Sequence, residues 1–551
     1  MPFHSMHAAE NRQRTGSDTT FGRREEQTVT IKASKNHLLY AAALLFAVTA
    51  VGCVSEDSTP TPPVRDAAFL GYSNPDTKQT TCGNCHTDVQ AEWAGTKHAT
   101  AWATLQASGH AQEFCARCHT VNGRTNGSAD TTGGYFAVSA DAQRFYQDVQ
   151  CESCHGAGAT HVSAPGESQP IPTFEVDNTY ANGCASCHNS THHPFAEQLA
   201  ISRHGEMPNW EGAAGSCQVN CHTVWGAQTQ MAARGPFQQM NIAPLTTTKA
   251  PGLTCSLCHE PHDATDNPAQ IRDPFSLAAT TAADSSRHIC GKCHSRSARA
   301  TASSWKSSRA AHSAQFAVLM GDAGWAPASF GNIQGPARHG TQEGSCATCH
   351  MATGAINTAA GAFAVQNVGH SFEVIPCLNA ASPGTGGIDT AAAGCTDAQR
   401  DFSACATSNC HGSQESARHA METTQGEIRA LVRTLWVDGN ANAAIDSFPI
   451  DTGWLPKLLQ HDRTRAAGSK RLATTGGDTV ETVAKGARFN ALTFGHPNAH
   501  GDGSWGVHNP GYIRSVMTQT VNLVRSTYAT TDTLAGVPPA VEAILARAVR
   551  R

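Results

Sequence analysis

Aromatic side chains are scarce in this chain, at 6% of 551 residues, and hydrophobic residues of all kinds reach only 40%. The length would accommodate several domains, but so little bulky apolar material excludes several large cores of the ordinary Leu and Phe kind. Charge of one sign is lacking too. A formal net charge of −5 offers no basic surface of the kind nucleic acid requires. Long apolar runs are absent with one exception, LLYAAALLFAVTAVG at 38–52, which follows Lys32 and Lys35 and ends at Cys53. That run is short for a membrane span and reads as the apolar part of an export signal. The ending AVGC resembles a lipoprotein box, although Ala50 stands where Leu, Val or Ile is usual, so Cys53 is a candidate lipid anchor and ordinary cleavage nearby is the alternative. Residues 1–28 make an unusual front for such a signal, and a start near Val29 would be more regular.

What the chain has in abundance is cysteine and histidine, 21 and 28 residues. The pattern CxxCH occurs seven times, at Cys82–Cys85–His86, Cys115–Cys118–His119, Cys151–Cys154–His155, Cys184–Cys187–His188, Cys255–Cys258–His259, Cys290–Cys293–His294 and Cys346–Cys349–His350. Random placement at these frequencies gives roughly 0.04 matches. The first four motifs start 33, 36 and 33 residues apart, and a widened variant, Cys217–Cys221–His222, begins 33 residues after the fourth. A second variant is Cys405–Cys410–His411.

Two thiols at this spacing form thioethers to the two vinyl groups of one haem, and the adjacent His ligates the iron. Zinc needs no His directly after the second Cys, and disulfides need none at all. Nine motifs therefore imply nine covalently bound haem c groups. Attachment occurs outside the cytoplasm, in agreement with the export signal, and places the protein in the periplasm, at the outer membrane or at the cell surface. The porphyrins also supply apolar bulk that the composition lacks. The expected fold is mainly α with long irregular loops, a haem-packed core and a helical C-terminal cap.

Three cysteines remain: Cys53, Cys377 and Cys395. The last two are expected to form a disulfide in an oxidising compartment. The alternative joins Cys395 with Cys410 at the last haem and Cys405 with Cys377; the shorter Cys405–Cys410 loop is favoured because it holds both thiols near one ring at little closure cost.

The sixth ligand separates a conductor from an enzyme, because an iron with two His ligands is closed to substrates. Nine further histidines are candidates for it: His98, His161, His204, His262, His312, His339, His370, His419 and His508. His110, His192, His193, His496 and His500 are weaker candidates, and His288 and His461 weaker still. Met207, Met320, Met351 and Met421 are expected to pack rather than ligate.

CGNCHTDVQAEWAGTKHATAW, VQCESCHGAGATHV and LTCSLCHEPHDATDNPAQIR resemble the large multihaem cytochrome c superfamily. That superfamily includes hydroxylamine oxidoreductase, pentahaem nitrite reductase, tetrahaem electron carriers of nitrifiers and the electron conduits of metal-reducing bacteria. The resemblance covers about residues 75–420, and GVHNPGYIRSVM resembles the family's closing segment. It implies that His161 and His204 each ligate a haem other than that of the nearest motif. The enzymatic members' markers are missing: no CxxCK occurs, and nothing marks Tyr512 or Tyr528 as a haem cross-link.

The domain reading is a presequence at 1–53, a linker at 54–75, a nine-haem region at 76–420 and a Cys-free helical region at 421–551. Helices are expected around SQESARHAMETTQGEIRALVRTLWVD, with Ile428, Leu431, Val432, Leu435 and Trp436 on one face, around Leu458 and Leu459, and in PGYIRSVMTQTVNLVRSTYA and PAVEAILARAVRR. The helix containing Met517 and Val521 is expected to cover the last haems. Asp438, Asn440, Asn442 and Asp446 begin like a calcium loop, but Ala443 replaces the turn Gly and no Glu closes it, so calcium is the weaker reading. The leading expectation is an electron-transfer protein docking successive redox partners, with no nucleic acid, and with homopolymers as a variant. The alternative is an oxidoreductase with one five-coordinate haem acting on a small nitrogen or sulfur compound.

Overall fold

The computed structural model of the chain describes residues 63–121, 133–170, 183–190, 193–205, 222, 252–263, 267–272, 288–306, 311–333, 335, 338–342, 344–357, 365–379, 385–389, 395–396, 398–407, 409–442, 444–446, 448–458, 481–495, 501–529 and 537–548. The chain divides into Met1–Pro62 and Pro63–Arg551. The first unit, with the export signal and Cys53, lies outside the described residues.

Over the motif region, short helical turns alternate with irregular chain. Among the described residues, strands are confined to two small antiparallel pairs. β1 (Tyr72–Asn74) pairs with β2 (Gln79–Thr80), setting Tyr72 opposite Thr80, and β3 (Gly354–Asn357) pairs with β4 (Val365–Asn367), setting Gly354 opposite Asn367. The expected linker to residue 75 ends earlier. Asp66 N–H donates to the Tyr146 hydroxyl at 2.9 Å, and the N–H groups of Leu70 and Gly71 donate to the buried Glu152 carboxylate at 2.9 and 2.7 Å. Glu152 sits inside the CESCH motif, so this segment is pinned directly onto a haem-attachment turn. Gly71 has φ +59°, and a Cβ there would lie 2.4 Å from the Phe145 carbonyl oxygen, so only glycine fits.

Among the described residues, the C-terminal third holds the largest apolar core. Its long helices there are α1 (Gln414–Leu435), α2 (Val483–Gly495), α3 (Pro510–Thr527) and α4 (Pro539–Ala548). α1 starts at Ser413, whose hydroxyl accepts the Ser416 N–H, and α3 at Asn509, whose side chain accepts the Tyr512 N–H ahead of Pro510. Ile428, Leu431, Val432 and Leu435 of α1 and Ile513, Val516, Met517, Val521 and Val524 of α3 recur at three- and four-residue spacing and are buried together. A further turn covers 454–458.

Met517 and Val521 lie within this helical core, which Trp305, Val318, Trp325 and Phe330 of the motif region join. α2 carries no amphipathic pattern because it is buried on nearly every side. Its Asn490 amide clamps the Trp325 backbone, accepting its N–H at 2.6 Å and donating to its carbonyl at 2.8 Å. Among the described residues, no helix is long and apolar enough to cross a membrane.

Candidate functional site

The motifs fold as single helical turns. The motif His N–H donates to the carbonyl of the first Cys at His86 (3.0 Å), His188 (2.9 Å), His259 (3.0 Å) and His294 (2.9 Å). One turn sets residues i, i+3 and i+4 on the same side, so both thiols and the imidazole converge. The widened CATSNCH closes the same way, with His411 N–H reaching the Cys405 carbonyl at 3.1 Å. Cys377 is disulfide-bonded to Cys395, which leaves Cys405 beside Cys410 and removes the alternative pairing. Cys217 and Cys221 lie outside the described residues.

Each of eight motif histidines faces an imidazole from a remote segment. Ring centroids are 6.2 Å apart for His86 and His161, 6.1 Å for His188 and His98, 6.1 Å for His155 and His262, and 6.0 Å for His294 and His204. The other four pairs are His222 and His312 at 6.3 Å, His259 and His370 at 6.2 Å, His411 and His339 at 6.2 Å, and His350 and His508 at 6.1 Å. Two metal–nitrogen bonds of about 2 Å, each extended by about 1.1 Å from nitrogen to ring centre, span about 6.2 Å. The pairs are thus spaced for one metal ion between two imidazoles, and the thiols beside them fit covalent haem.

Second partners orient these rings. The Nδ1–H groups of His155, His259, His339, His350 and His370 donate to the carbonyls of Pro170 (2.7 Å), Ala269 (2.8 Å), Val507 (2.7 Å), Phe372 (2.9 Å) and Val368 (3.0 Å). That fixes the tautomer and leaves Nε2 for iron. His262 and His508 donate instead to carboxylates, Glu260 at 3.2 Å and the buried Asp502 at 2.6 Å. Arg272 pairs with Glu260 on its other side. These two acids were not singled out from sequence, although Glu260 sits within CHEPH two residues before its histidine.

Burial lowers the affinity of most of these rings for protons. It pushes His188 down to about 3, with His98 adding to the effect, and His204 and His350 down to about 4, so all three are neutral near pH 7, the form a metal needs. Phe372 packs edge-on against His204 at 4.5 Å and Phe195 against His370 at 4.8 Å, adding apolar shielding.

Attachment thiols of different motifs lie within electrostatic reach of one another: Cys82 of Cys151, Cys154 of Cys184, Cys184 of Cys255, Cys258 of Cys290, Cys290 of Cys346, and Cys349 of Cys405 and Cys410. Cys118 lies within electrostatic reach of Cys187. His222 lies within electrostatic reach of His294.

Several candidates fall elsewhere. His419 is exposed and faces no second histidine among the described residues. The α1 register that buries Ala417, Thr424 and Ile428 turns it outward. Among the described residues no second imidazole faces His119. His288 accepts the Cys290 and Gly291 N–H groups on Nδ1 at 3.1 and 3.3 Å, capping the CGKCH turn. Met320 packs with Phe316 and Leu319. The calcium-like loop closes on itself: Asn440 and Asn442 both donate to Asp446 at 2.8 Å, while Asp451 accepts from Trp436, Gly439 and Asp446. Met207, His192, His461, His496 and His500 lie outside the described residues.

Comparison with known proteins agrees with the motifs. The family model "Cytochrome c554 and c-prime" matches residues 81–156, which hold the first three CxxCH sites. Two C-type polyheme cytochromes of Geobacter sulfurreducens are similar. OmcC is 24% identical over 158 residues, 26% of this chain and 20% of the relative, and OmcB is 32% identical over 121 residues, 20% of this chain and 15% of the relative. The matches thus span a fifth or less of those relatives' own length. A solved structure, the outer cell wall cytochrome OcwA, aligns over 82% of this chain and 99% of its own with a TM-score of 0.46 and 16% identity. With seven CxxCH turns, two widened variants and a family match over the first three, the chain is a multihaem c-type cytochrome.

Proposed function

We propose that the protein is an exported nine-haem electron carrier that passes electrons between redox partner proteins and an acceptor at the outer membrane or beyond it. The observation that carries this reading is the set of eight imidazole pairs at 6.0–6.3 Å, each combining a motif histidine with a remote one. Bound haem supplies one-electron chemistry at iron. The chain's residues do the rest. At eight sites two facing histidines would hold the iron of a bound haem, leaving no position for a substrate. Carbonyl and carboxylate acceptors hold the rings in one tautomer, and buried Phe195 and Phe372 keep water away. The run of neighbouring attachment thiols supports transfer from site to site along the whole molecule. The polyheme character of the Geobacter relatives supports the multihaem reading, and the export signal at 38–53 supports export.

The test is intact mass followed by coulometric reduction of the purified protein. Nine haem increments and nine electrons taken up per molecule are expected. Fewer haems, or haems that cannot exchange electrons with an electrode or with one another, would overturn the reading.

A further inference from the structure

Glu152 fills the first variable position of the CESCH turn, where haem attachment calls for no acid, yet it is only 3% exposed. Its carboxylate reaches in two directions. Oε2 accepts the Leu70 and Gly71 N–H groups of the N-terminal segment at 2.9 and 2.7 Å, and Oε1 accepts the Gly158 N–H at 2.8 Å. Gly158 opens the helical turn Ala159–Ser163, whose first residue donates its N–H to the Ala68 carbonyl of that same N-terminal segment at 3.1 Å. This turn carries His161. The His161 Nδ1 lies 2.5 Å from the Ser168 carbonyl, and its ring faces that of His86 with centroids 6.2 Å apart and planes 23° apart.

The acid thus belongs to one attachment motif and the ring it helps to place belongs to another. A turn of five residues is too short to hold its position by its own hydrogen bonds, so its anchors at Gly158 and Ala159 decide where His161 stands. Without the carboxylate, three N–H groups lose their acceptor, two of them in buried bonds, and the chain relieves that cost by moving them toward other partners. A ligand must be held to within about 0.5 Å, so a small shift of the turn is enough to release the ring. Cys85 and His86 are exposed, which leaves an iron released at that site open to solvent.

We propose that Glu152 is a positioning residue for the neighbouring haem: its carboxylate holds the turn that sets His161 as sixth ligand to the haem at Cys82 and Cys85, while its own backbone forms the attachment turn of the haem at Cys151 and Cys154. The inference rests on the reading of His86 and His161 as the two ligands of one iron. It makes the closed state of the first haem depend on a residue of the third motif and on the N-terminal segment seated against it.

The test counts carbon monoxide bound per reduced, haem-loaded molecule relative to wild type, with intact mass confirming the haem complement. His161→Ala should raise uptake by one, and so should His262→Ala, which opens the haem at Cys151 and Cys154. Glu152→Ala should also raise it by one, with one low-spin ferric EPR signal giving way to a high-spin one. Combined with His161→Ala it should still give one, because both changes open the same iron, and combined with His262→Ala it should give two. Glu152→Gln has the same shape but turns an amide NH2 toward N–H donors, and it should act in the same direction where the Ala variant does not accumulate. A full haem complement with unchanged uptake in the Glu152 variants would overturn the inference. Uptake of two in the variant combined with His161→Ala would overturn it as well, by placing the opened iron elsewhere, as would loss of the haem at Cys151 and Cys154. No rise in His161→Ala alone would overturn the pairing of His86 with His161, and this inference with it.

Discussion

Asp502→Asn tests the tuning of a single site. The Asp502 carboxylate is fully buried and accepts the Nδ1–H of His508 at 2.6 Å, while the centroids of His508 and His350 are 6.1 Å apart. The midpoint of that pair, where the metal would sit, is therefore about 7 Å from the carboxylate oxygen. A unit charge at that distance in an effective dielectric of about 20 is worth about 2.4 kcal/mol, or about 100 mV for a one-electron centre. Negative charge favours the oxidised iron, so removing it should raise the potential. Asn keeps an oxygen to accept the histidine N–H, which isolates charge from orientation. Spectroelectrochemical titration of wild type and variant should show one of nine steps moving up by about 100 mV with the rest little changed. An unchanged set of potentials, or a downward shift, would refute the assignment of His508 as a ligand whose donor strength Asp502 controls.

Other outcomes follow from the same structure. Cys217→Ser should lower the intact mass by one haem, and an unchanged count would show that the widened CQVNCH does not attach one. Cys377→Ser should leave the haem count at nine but cost about 3 kcal/mol of stability in chemical denaturation, the entropy of opening a loop of this length. The disulfide joins residues 18 apart. Leu431→Ala, at a fully buried position in α1, should destabilise by about 2–5 kcal/mol without altering the spectrum of the haems, because the cavity opens in the helical core.

The limits of sequence reading show in particular residues. α1, α3 and α4 were legible because one face of each is apolar at helical spacing. α2 was not, since a helix buried all round shows no such period, and its Lys485, Gly486 and Arg488 disguise it further. His419 sits in a plausible local context yet faces solvent, because its orientation depends on which side of α1 meets the core. Asp502 and Glu260 carried no signal of their own until the ring beside each was fixed.

The attachment cysteines and the motif histidines were determined by sequence alone, since thioether spacing and one helical turn are local requirements that a run of five to seven residues must satisfy by itself. The opposing histidines were decided by tertiary structure. They lie between 72 residues (His339 to His411) and 158 residues (His350 to His508) from their partners, and only folding brings them to the 6 Å that one iron spans.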